Sequence, residues 1–156
     1  MSKTSAGLLV YRVRKGNPEV FLVHPGGPFW SKKDTGAWSI PKGEFTTEDP
    51  LEAARREFRE ETGFTAEGDF RPLTPVRQSS KKTVYVWVVE DDFGPAAIKS
   101  NTFSIEWPPR SGNQEEFPEI DRAEWFGLND ARQKILKGQV PFLEELEQML
   151  RKDSEP

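Results

Sequence analysis

Three glutamates spaced for one face of a helix are the residues of this sequence best suited to bind a metal ion. Glu57, Glu60 and Glu61 stand at positions i, i+3 and i+4, and a helix turns by about 100° per residue, so their carboxylates project the same way. Like charges at this spacing repel one another, and a cation would relieve the repulsion. Oxygen ligands favour Mg²⁺, Mn²⁺ or Ca²⁺ over zinc, and protein-bound Mg²⁺ commonly shares phosphate oxygens. The pattern therefore indicates either diphosphate chemistry or a solvated acidic face relieved by neighbouring arginines.

The residues around these glutamates predict a helix over Pro50–Thr62. Asp49 can act as the N-cap, Pro50 fits the first turn, and Glu52 completes a capping box. Gly63 supplies a left-handed stop. The helix also carries an apolar stripe for the core, formed by Leu51, Ala54 and Phe58.

Strands are predicted on both sides of this helix, which favours an α+β architecture. The β-prone runs cover residues 6–13, 19–23, 38–40, 70–76, 83–90 and 102–107, with 117–120 and 123–126 as one further extended stretch. The first two runs form a hairpin, and residues 24–37 form a loop. Two later helices are expected over residues 129–136 and 142–151.

The overall composition indicates one soluble domain that handles a small ligand. We expect a single domain over residues 1–156, with a frayed tail over 152–156. The net charge of −4 argues against a broad basic surface for nucleic acid polymers. The absence of cysteine excludes disulfides and thiolate zinc sites and fits a cytoplasmic protein. The short apolar run near the N-terminus is too short to span a membrane.

The string over residues 43–64 resembles the Nudix box. That signature reads Gly, five residues, Glu, seven residues, Arg-Glu, an apolar residue, one residue, Glu-Glu, one residue, Gly, apolar. Its fixed positions are matched by Gly43, Glu48, Arg56, Glu57, Phe58, Glu60, Glu61, Gly63 and Phe64. One spacer differs, because four residues rather than five separate Gly43 from Glu48. The hairpin before the box, the Trp-Ser-Ile-Pro-Lys approach and the late Glu-Trp-Phe-Gly-Leu segment are also similar, so the resemblance implies a Nudix-type α/β/α sandwich with a mixed β-sheet.

The resemblance implies a Mg²⁺ site, with Mn²⁺ as a possible substitute. Glu57 and Glu61 are then the principal metal ligands, Glu60 is a third or water-bridged ligand, and the Gly43 carbonyl is a candidate backbone ligand. Arg56 is expected to hold the carboxylates in place by pairing with Glu60 or with Glu48, which is otherwise a plain exposed glutamate.

The reaction implied by the resemblance is attack of water on a phosphorus of a P–O–P bridge, which needs a general base. The candidates are Glu60 and, in an acidic loop over residues 114–119, the glutamates Glu115, Glu116 and Glu119. Of these, Glu119 lies just before a strand, as a late carboxylate does in many members of the family. Solvated loop charge is the alternative, and it is favoured for Glu115.

Several residues outside the box are candidates for substrate binding. Lys42 lies beside Gly43 and can meet a phosphate, while Phe29 and Trp30 can stack on a base from the loop over residues 24–37. Tyr85 could do the same, but its strand position favours core packing for Tyr85 and for Trp87. His24 is expected to be a hydrogen-bonded loop residue rather than a catalyst.

The resemblance implies an enzyme that cleaves a nucleoside diphosphate linked to another group. The approach to Gly43 is similar to that of dinucleoside polyphosphate hydrolases, so diadenosine tetraphosphate is the first substrate expected. Two alternatives stay open, a pyrophosphatase for nucleoside triphosphates, including oxidised ones, and a non-catalytic nucleotide-binding module. The intact set Glu57, Glu60 and Glu61 argues against the module.

Overall fold

The structure is a computed structural model that describes residues 3–78 and 81–154. Within these residues the strands are β1 Lys3–Arg14, β2 Asn17–Pro25, β3 Lys42–Phe45, β4 Arg71–Pro72, β5 Val76–Arg77, β6 Lys82–Glu90, β7 Thr102–Glu106, β8 Gln114–Pro118 and β9 Ile120–Gly127. The α-helices are α1 Pro50–Thr62, α2 Leu128–Lys134 and α3 Val140–Asp153. The helix of the glutamates therefore has the predicted bounds.

The strands build one mixed sheet and one separate hairpin. The main sheet has the order β4-β6-β1-β2-β9, with β3 paired to β1 and β5 paired to β6. The β1–β6 pair is parallel, and the other pairs are antiparallel. Strands β7 and β8 pair only with each other among the described residues. The predicted hairpin of residues 6–13 and 19–23 is confirmed as β1 and β2.

Alternating side chains of the central strands supply two cores, one on each face of the sheet. On β1, Ala6, Leu8 and Val10 join the core beneath α1, whereas Leu9 joins the core beneath α2 and α3. This alternation follows from the two-residue period of a strand. Helix α1 contributes Phe58 to the first core, and α3 contributes Phe142 to the second. Helices therefore cover both faces, and the predicted α+β sandwich is confirmed.

Helix α1 begins and ends as its capping residues predict. The Asp49 carboxylate accepts a hydrogen bond from the Glu52 amide at 3.2 Å. Gly63 adopts the left-handed conformation with φ 81°, and its amide donates to the Arg59 carbonyl at 2.8 Å. These caps satisfy backbone groups that a free helix end would leave to solvent. They fix the helix in the register that sets the direction of its glutamates.

Two strand predictions are wrong in detail. Residues 38–40 make only isolated bridges to β2 and to Ile135. The next strand in the chain is β3, which begins at Lys42. Trp38 and Ile40 are buried, so their alternation with Ser39 reflects core packing rather than a strand ladder. The stretch predicted over residues 70–76 is interrupted and forms only the two short strands β4 and β5. Pro75, which lies between them, lacks the amide hydrogen that a strand ladder needs.

The stretch predicted over residues 117–126 is divided between two sheets. Phe117 belongs to β8, while Ala123 belongs to β9, and Glu119 lies between the two strands. Most of the acidic segment over residues 114–119 is accordingly strand β8 rather than loop. Pairing with β7 explains the difference, since the pairing partner cannot be read from this segment alone.

The C-terminal helix is longer than predicted. Helix α3 continues to Asp153, so the frayed tail expected from residue 152 is wrong for residues 152 and 153. An ion pair between Asp153 and Arg71 at 2.6 Å holds this end of the helix. Residues 155 and 156 lie outside the described residues. Helix α2 confirms the other late helix, with an end two residues earlier than predicted. In the part of the chain that the structure describes, no helix is long and apolar enough to cross a membrane.

Candidate active site

Strand β3 brings Gly43 directly against the carboxylate of Glu57. Gly43 pairs with Ala6 of β1, at the point where α1 lies over the sheet. A Cβ atom built at residue 43 would lie 2.1 Å from the Glu57 carboxyl carbon and 2.2 Å from one of its oxygens. Any side chain at this position would displace the carboxylate. The Gly-Glu pair of the box is thus a physical contact between β3 and α1.

Glu61 is the most deeply buried of the four glutamates on α1. The residue is only 7% exposed. Burial, together with the nearby charges of Glu57 and Glu119, raises the pKa of Glu61 from its ordinary value of 4.5 to about 9, against the opposing effect of Lys42. Burial likewise raises the pKa of Glu57, against the opposing effect of Arg56. A buried carboxylate with two carboxylate neighbours is stable as an anion only beside a cation.

Arg56 connects the box glutamates in the way that the sequence predicted. Its guanidinium donates to both oxygens of Glu48, at 2.7 and 2.8 Å. It also donates to Glu57 at 3.0 Å and to both oxygens of Glu60 at 3.1 Å. Both expected partners, Glu48 and Glu60, are confirmed, and Glu48 organises the loop before α1 through a bidentate pair.

A chain of backbone hydrogen bonds places Glu119 next to the box. The Asn101 amide donates to the carbonyl of Glu60, and the Glu119 amide donates to the carbonyl of Asn101, both at 2.9 Å. The Gly26 amide in turn donates to the Glu119 carbonyl at 2.7 Å. Burial raises the pKa of Glu119, and the charge of Glu60 adds to this. Glu119 therefore belongs to the same carboxylate group as the glutamates of α1.

The other two candidate bases lie apart from this group. Glu115 and Glu116 are exposed residues of β8, and they pair across the hairpin with Ile105 and Ser104. The structure thus separates Glu119 from the two glutamates that precede it in the same acidic segment.

Two lysines lie beside the carboxylates, and only one of them was predicted. Lys42 is half-buried, and burial lowers its pKa, as does its neighbour Lys82, while Glu61 opposes the shift. Lys82 also lies 3.8 Å from Glu44. Parallel pairing of β6 with β1 carries Lys82 to this point. The sequence shows a lysine at the start of a strand, but it does not show which strand lies next to it.

Phe29 and Trp30 lie on an exposed loop beside the β7–β8 hairpin. Phe29 is 64% exposed and Trp30 is 37% exposed. The ring of Phe29 contacts the ring of Trp107 edge to face, with centroids 5.5 Å apart. Tyr85 and Trp87 instead pack against the core beneath α1, as expected.

His24 is hydrogen-bonded as predicted, but it is a strand residue rather than a loop residue. It lies near the end of β2 and is fully buried. Its Nδ1 lies 2.8 Å from an Asp121 carboxylate oxygen, and its Nε2 lies 2.6 Å from the Lys33 carbonyl. The ring therefore joins β2, β9 and the loop that carries the exposed aromatics.

The donor set of this site fits a divalent cation that prefers oxygen. Among the described residues, no three acidic or histidine side chains are already arranged to coordinate one metal ion. Arg56 instead bonds to Glu57 and Glu60. However, burial raises the pKa of Glu57, Glu61 and Glu119, and a further positive charge would favour their ionised forms. Carboxylate oxygens without cysteine or histidine are the ligands of Mg²⁺ and Mn²⁺.

The described residues thus form a mixed sheet between helices, with the acidic helix α1 packed against Gly43 of β3. The NUDIX domain model matches residues 1–146 of this chain. The chain belongs to the Nudix family and is a Nudix pyrophosphohydrolase. The resemblance of residues 43–64 to the Nudix box is confirmed.

Solved structures from this family share the fold at low sequence identity. An Ap4A hydrolase from C. elegans, solved as a binary complex, aligns with a TM-score of 0.66 and 22% identity, covering 95% of this chain and 98% of that chain. The NUDIX domain of Shewanella oneidensis NrtR, complexed with ADP ribose, aligns with a TM-score of 0.67 and 14% identity, covering 96% and 89%. A structure of MutT, from work on Aliivibrio salmonicida and Vibrio cholerae, aligns with a TM-score of 0.56 and 15% identity, covering 92% and 93%. No curated protein matches the sequence.

Proposed function

We propose that this protein is a Mg²⁺-dependent hydrolase of dinucleoside polyphosphates, with diadenosine tetraphosphate as the first substrate to test. The buried Glu61 carboxyl carries the proposal. It lies beside Glu57 and Glu119, with Lys42 as its nearby cation. Burying such a group is costly unless a charged partner occupies the site. A divalent cation, which can also bind a substrate diphosphate, supplies that partner.

In the proposed site, Glu57 and Glu61 are the principal metal ligands, with Glu60 as a third and the Gly43 carbonyl as a backbone ligand. When bound, Mg²⁺, or Mn²⁺ in its place, supplies neutralisation of charge on the non-bridging phosphate oxygens. Arg56 is a positioning residue, because its hydrogen bonds hold Glu57 and Glu60 relative to each other.

We assign the general base to Glu119. Glu60 bonds to Arg56 through both carboxylate oxygens, whereas no side chain in the described part of the chain donates to the Glu119 carboxylate. Its raised pKa also brings it closer to neutral pH, where a base is most effective. The attacking water forms a bond from its oxygen to phosphorus and gives a proton to Glu119, and the bridging oxygen leaves on the second phosphate.

Lys42 and Lys82 are proposed to bind the phosphates of the substrate. Two ammonium groups that lie close together repel each other, and an anion between them removes the repulsion. The lowered pKa of Lys42 reflects both its burial and its neighbour Lys82. The exposed rings of Phe29 and Trp30 are proposed to stack on a base. The fold is shared with an Ap4A hydrolase from C. elegans, and this similarity supports the choice of a dinucleoside polyphosphate as substrate.

The proposal is tested with a substrate panel and a matched pair of variants. Purified protein is incubated with Mg²⁺ and diadenosine tetraphosphate, nucleoside triphosphates including 8-oxo-dGTP, or ADP-ribose, and the products are separated by ion-exchange chromatography. We expect the highest kcat/KM for diadenosine tetraphosphate. Glu61→Gln should reduce kcat at least about 100-fold, because an amide is a poorer ligand of the same shape. Glu52→Gln, on the exposed face of the same helix, should retain activity.

Three results would contradict this proposal in different ways. A preference for a nucleoside triphosphate would overturn the substrate and keep the reaction. Wild-type activity in Glu61→Gln would overturn the ligand assignment. Binding without turnover of any compound would make the chain a nucleotide-binding module.

A further inference from the structure

The β7–β8 hairpin carries an apolar face whose only described ring contacts outside the hairpin are with one loop. Along β7 and the residue after it, Phe103, Ile105 and Trp107 are half-buried while the residues between them are exposed. Phe103 also packs near Phe117 of β8, with ring centroids 6.1 Å apart. Among the described residues these two strands pair with no other strand. The alternation therefore marks one apolar side of an arm that extends from the main sheet.

This apolar side rests on the loop over residues 26–30. A Cβ atom built at Gly27 would lie 2.8 Å from the Phe103 ring, so glycine is needed for this close approach. Two residues later, the rings of Phe29 and Trp107 pack edge to face, with a centroid distance of 5.5 Å and an interplanar angle of 83°. An edge-to-face pair leaves a ring face free. Phe29 remains 64% exposed despite this contact.

The aromatic pair is tied to the carboxylate group through the backbone. Gly26 donates to the carbonyl of Glu119, which follows β8 directly. Phe29 lies three residues from Gly26, so the two Cα atoms are at most about 11 Å apart. The Lys33 ammonium lies over the Trp30 ring, 5.3 Å from its centroid, and adds positive charge to the same loop. A group attached to a diphosphate at Glu119 can therefore reach Phe29 and Trp107.

We propose that Trp107 and Phe29 together form the binding site for a nucleobase of the substrate, and that Trp107 is a specificity-determining residue. The inference rests on the proposed function, because it takes the substrate to be a nucleotide. A planar base stacks on a free aromatic face, and Trp107 holds the Phe29 ring in the orientation that offers this face. The hairpin is then the element that recognises the nucleoside, while α1 handles the phosphates.

Equilibrium binding of two ligands that differ by the base tests this inference. AMP and ribose 5-phosphate are titrated by calorimetry into wild-type protein and into Trp107→Ala, Trp107→Phe, Phe29→Ala and Val13→Ala. We expect wild-type protein to bind AMP more tightly. Trp107→Ala and Phe29→Ala should raise the Kd for AMP about five- to a hundredfold and leave the Kd for ribose 5-phosphate unchanged. Trp107→Phe should restore most of the affinity.

Val13→Ala is the matched control, since Val13 is an exposed apolar residue that pairs with Pro18 at the start of β2, whereas this loop follows the other end of β2. It should change neither Kd. An unchanged Kd for AMP in Trp107→Ala would overturn the inference, as would equal weakening of both ligands or equal affinity of the wild type for both. If the wild type binds AMP selectively through Trp107 but hydrolyses nothing in the panel, the proposed function fails and the base site stands.

Discussion

At the scale of single residues, Glu61 shows how the site opposes folding when no cation is bound. Its carboxyl is buried, and its neighbours include Glu57 and Glu119. The unfolded chain ionises this group near its ordinary pKa of 4.5, whereas the folded protein holds the pKa at about 9. Folding at neutral pH must therefore take up a proton or bury a charge. The site is less stable than it would be with a neutral side chain at this position.

Glu61→Gln is expected to stabilise the metal-free protein in a pH-dependent way. Because the folded pKa is raised, protonated Glu61 does not destabilise the fold below about pH 4.5. As the pH rises from 4.5 toward 9, the folded protein must keep a proton that the unfolded chain has lost, and stability falls. At pH 7 the variant should gain up to about 3 kcal/mol in free energy of unfolding. Urea denaturation in EDTA at pH 5, 7 and 8.5 measures the difference between the two proteins. A difference that stays constant over this range would contradict the raised pKa of Glu61.

At the scale of elements, the contact of β3 with α1 explains why a glycine precedes the acidic helix. Gly43 is not among the residues with positive φ. Its need for glycine therefore comes from the Glu57 carboxylate, which occupies the space of a side chain. The shorter spacer of this sequence is compatible with the contact.

Gly43→Ala is expected to damage the site while the fold is retained. The added methyl group must push the Glu57 carboxylate aside, since the two would lie about 2 Å apart. We expect Mg²⁺-activated kcat/KM to fall about 10- to 100-fold, the usual effect of disturbing the support of a metal ligand. Steady-state rates over a Mg²⁺ titration, with circular dichroism as a check on folding, measure this. Gly94→Ala is the control, because a methyl group there meets no atom within 4 Å. Equal rates in both variants would contradict the role of the contact.

Local signals predicted the elements whose causes lie within a few residues. Helix α1 has its caps and its apolar stripe in its own sequence, so its bounds and the direction of its glutamates were predictable. The hairpin of β1 and β2 was predictable for the same reason. Strand β8 was mistaken for a loop, because within the described residues it pairs with β7 alone and its exposed residues are acidic. Lys82 and Trp107 were missed, since each reaches its place through contacts between distant segments.

At the scale of the whole molecule, the sheet lies between the candidate active site on α1 and the core beneath α2 and α3. The core beneath α1 includes Phe58, which stands between Glu57 and Glu60 in the sequence and lies near the rings of Phe21 and Phe93. The opposite core includes Phe142 of α3. Both phenylalanines are fully buried. The two side chains are similarly buried, but only Phe58 packs beneath the helix that carries the proposed metal ligands.

The matched variants Phe58→Ala and Phe142→Ala test this separation. Each should lower the free energy of unfolding by about 3–5 kcal/mol, the usual cost of removing a buried phenylalanine. At a temperature at which both variants remain folded, Phe142→Ala should keep kcat/KM within about twofold of wild type, because the sheet stands between its cavity and the site. Phe58→Ala should lower kcat/KM about tenfold or more, since α1 can shift into the cavity beneath Glu57 and Glu61, and misplacement by about 1 Å can reduce catalysis a hundredfold. Urea unfolding and initial rates on the same samples give both quantities. Equal losses of activity in the two variants would show that the site depends on overall stability rather than on the layer that carries α1.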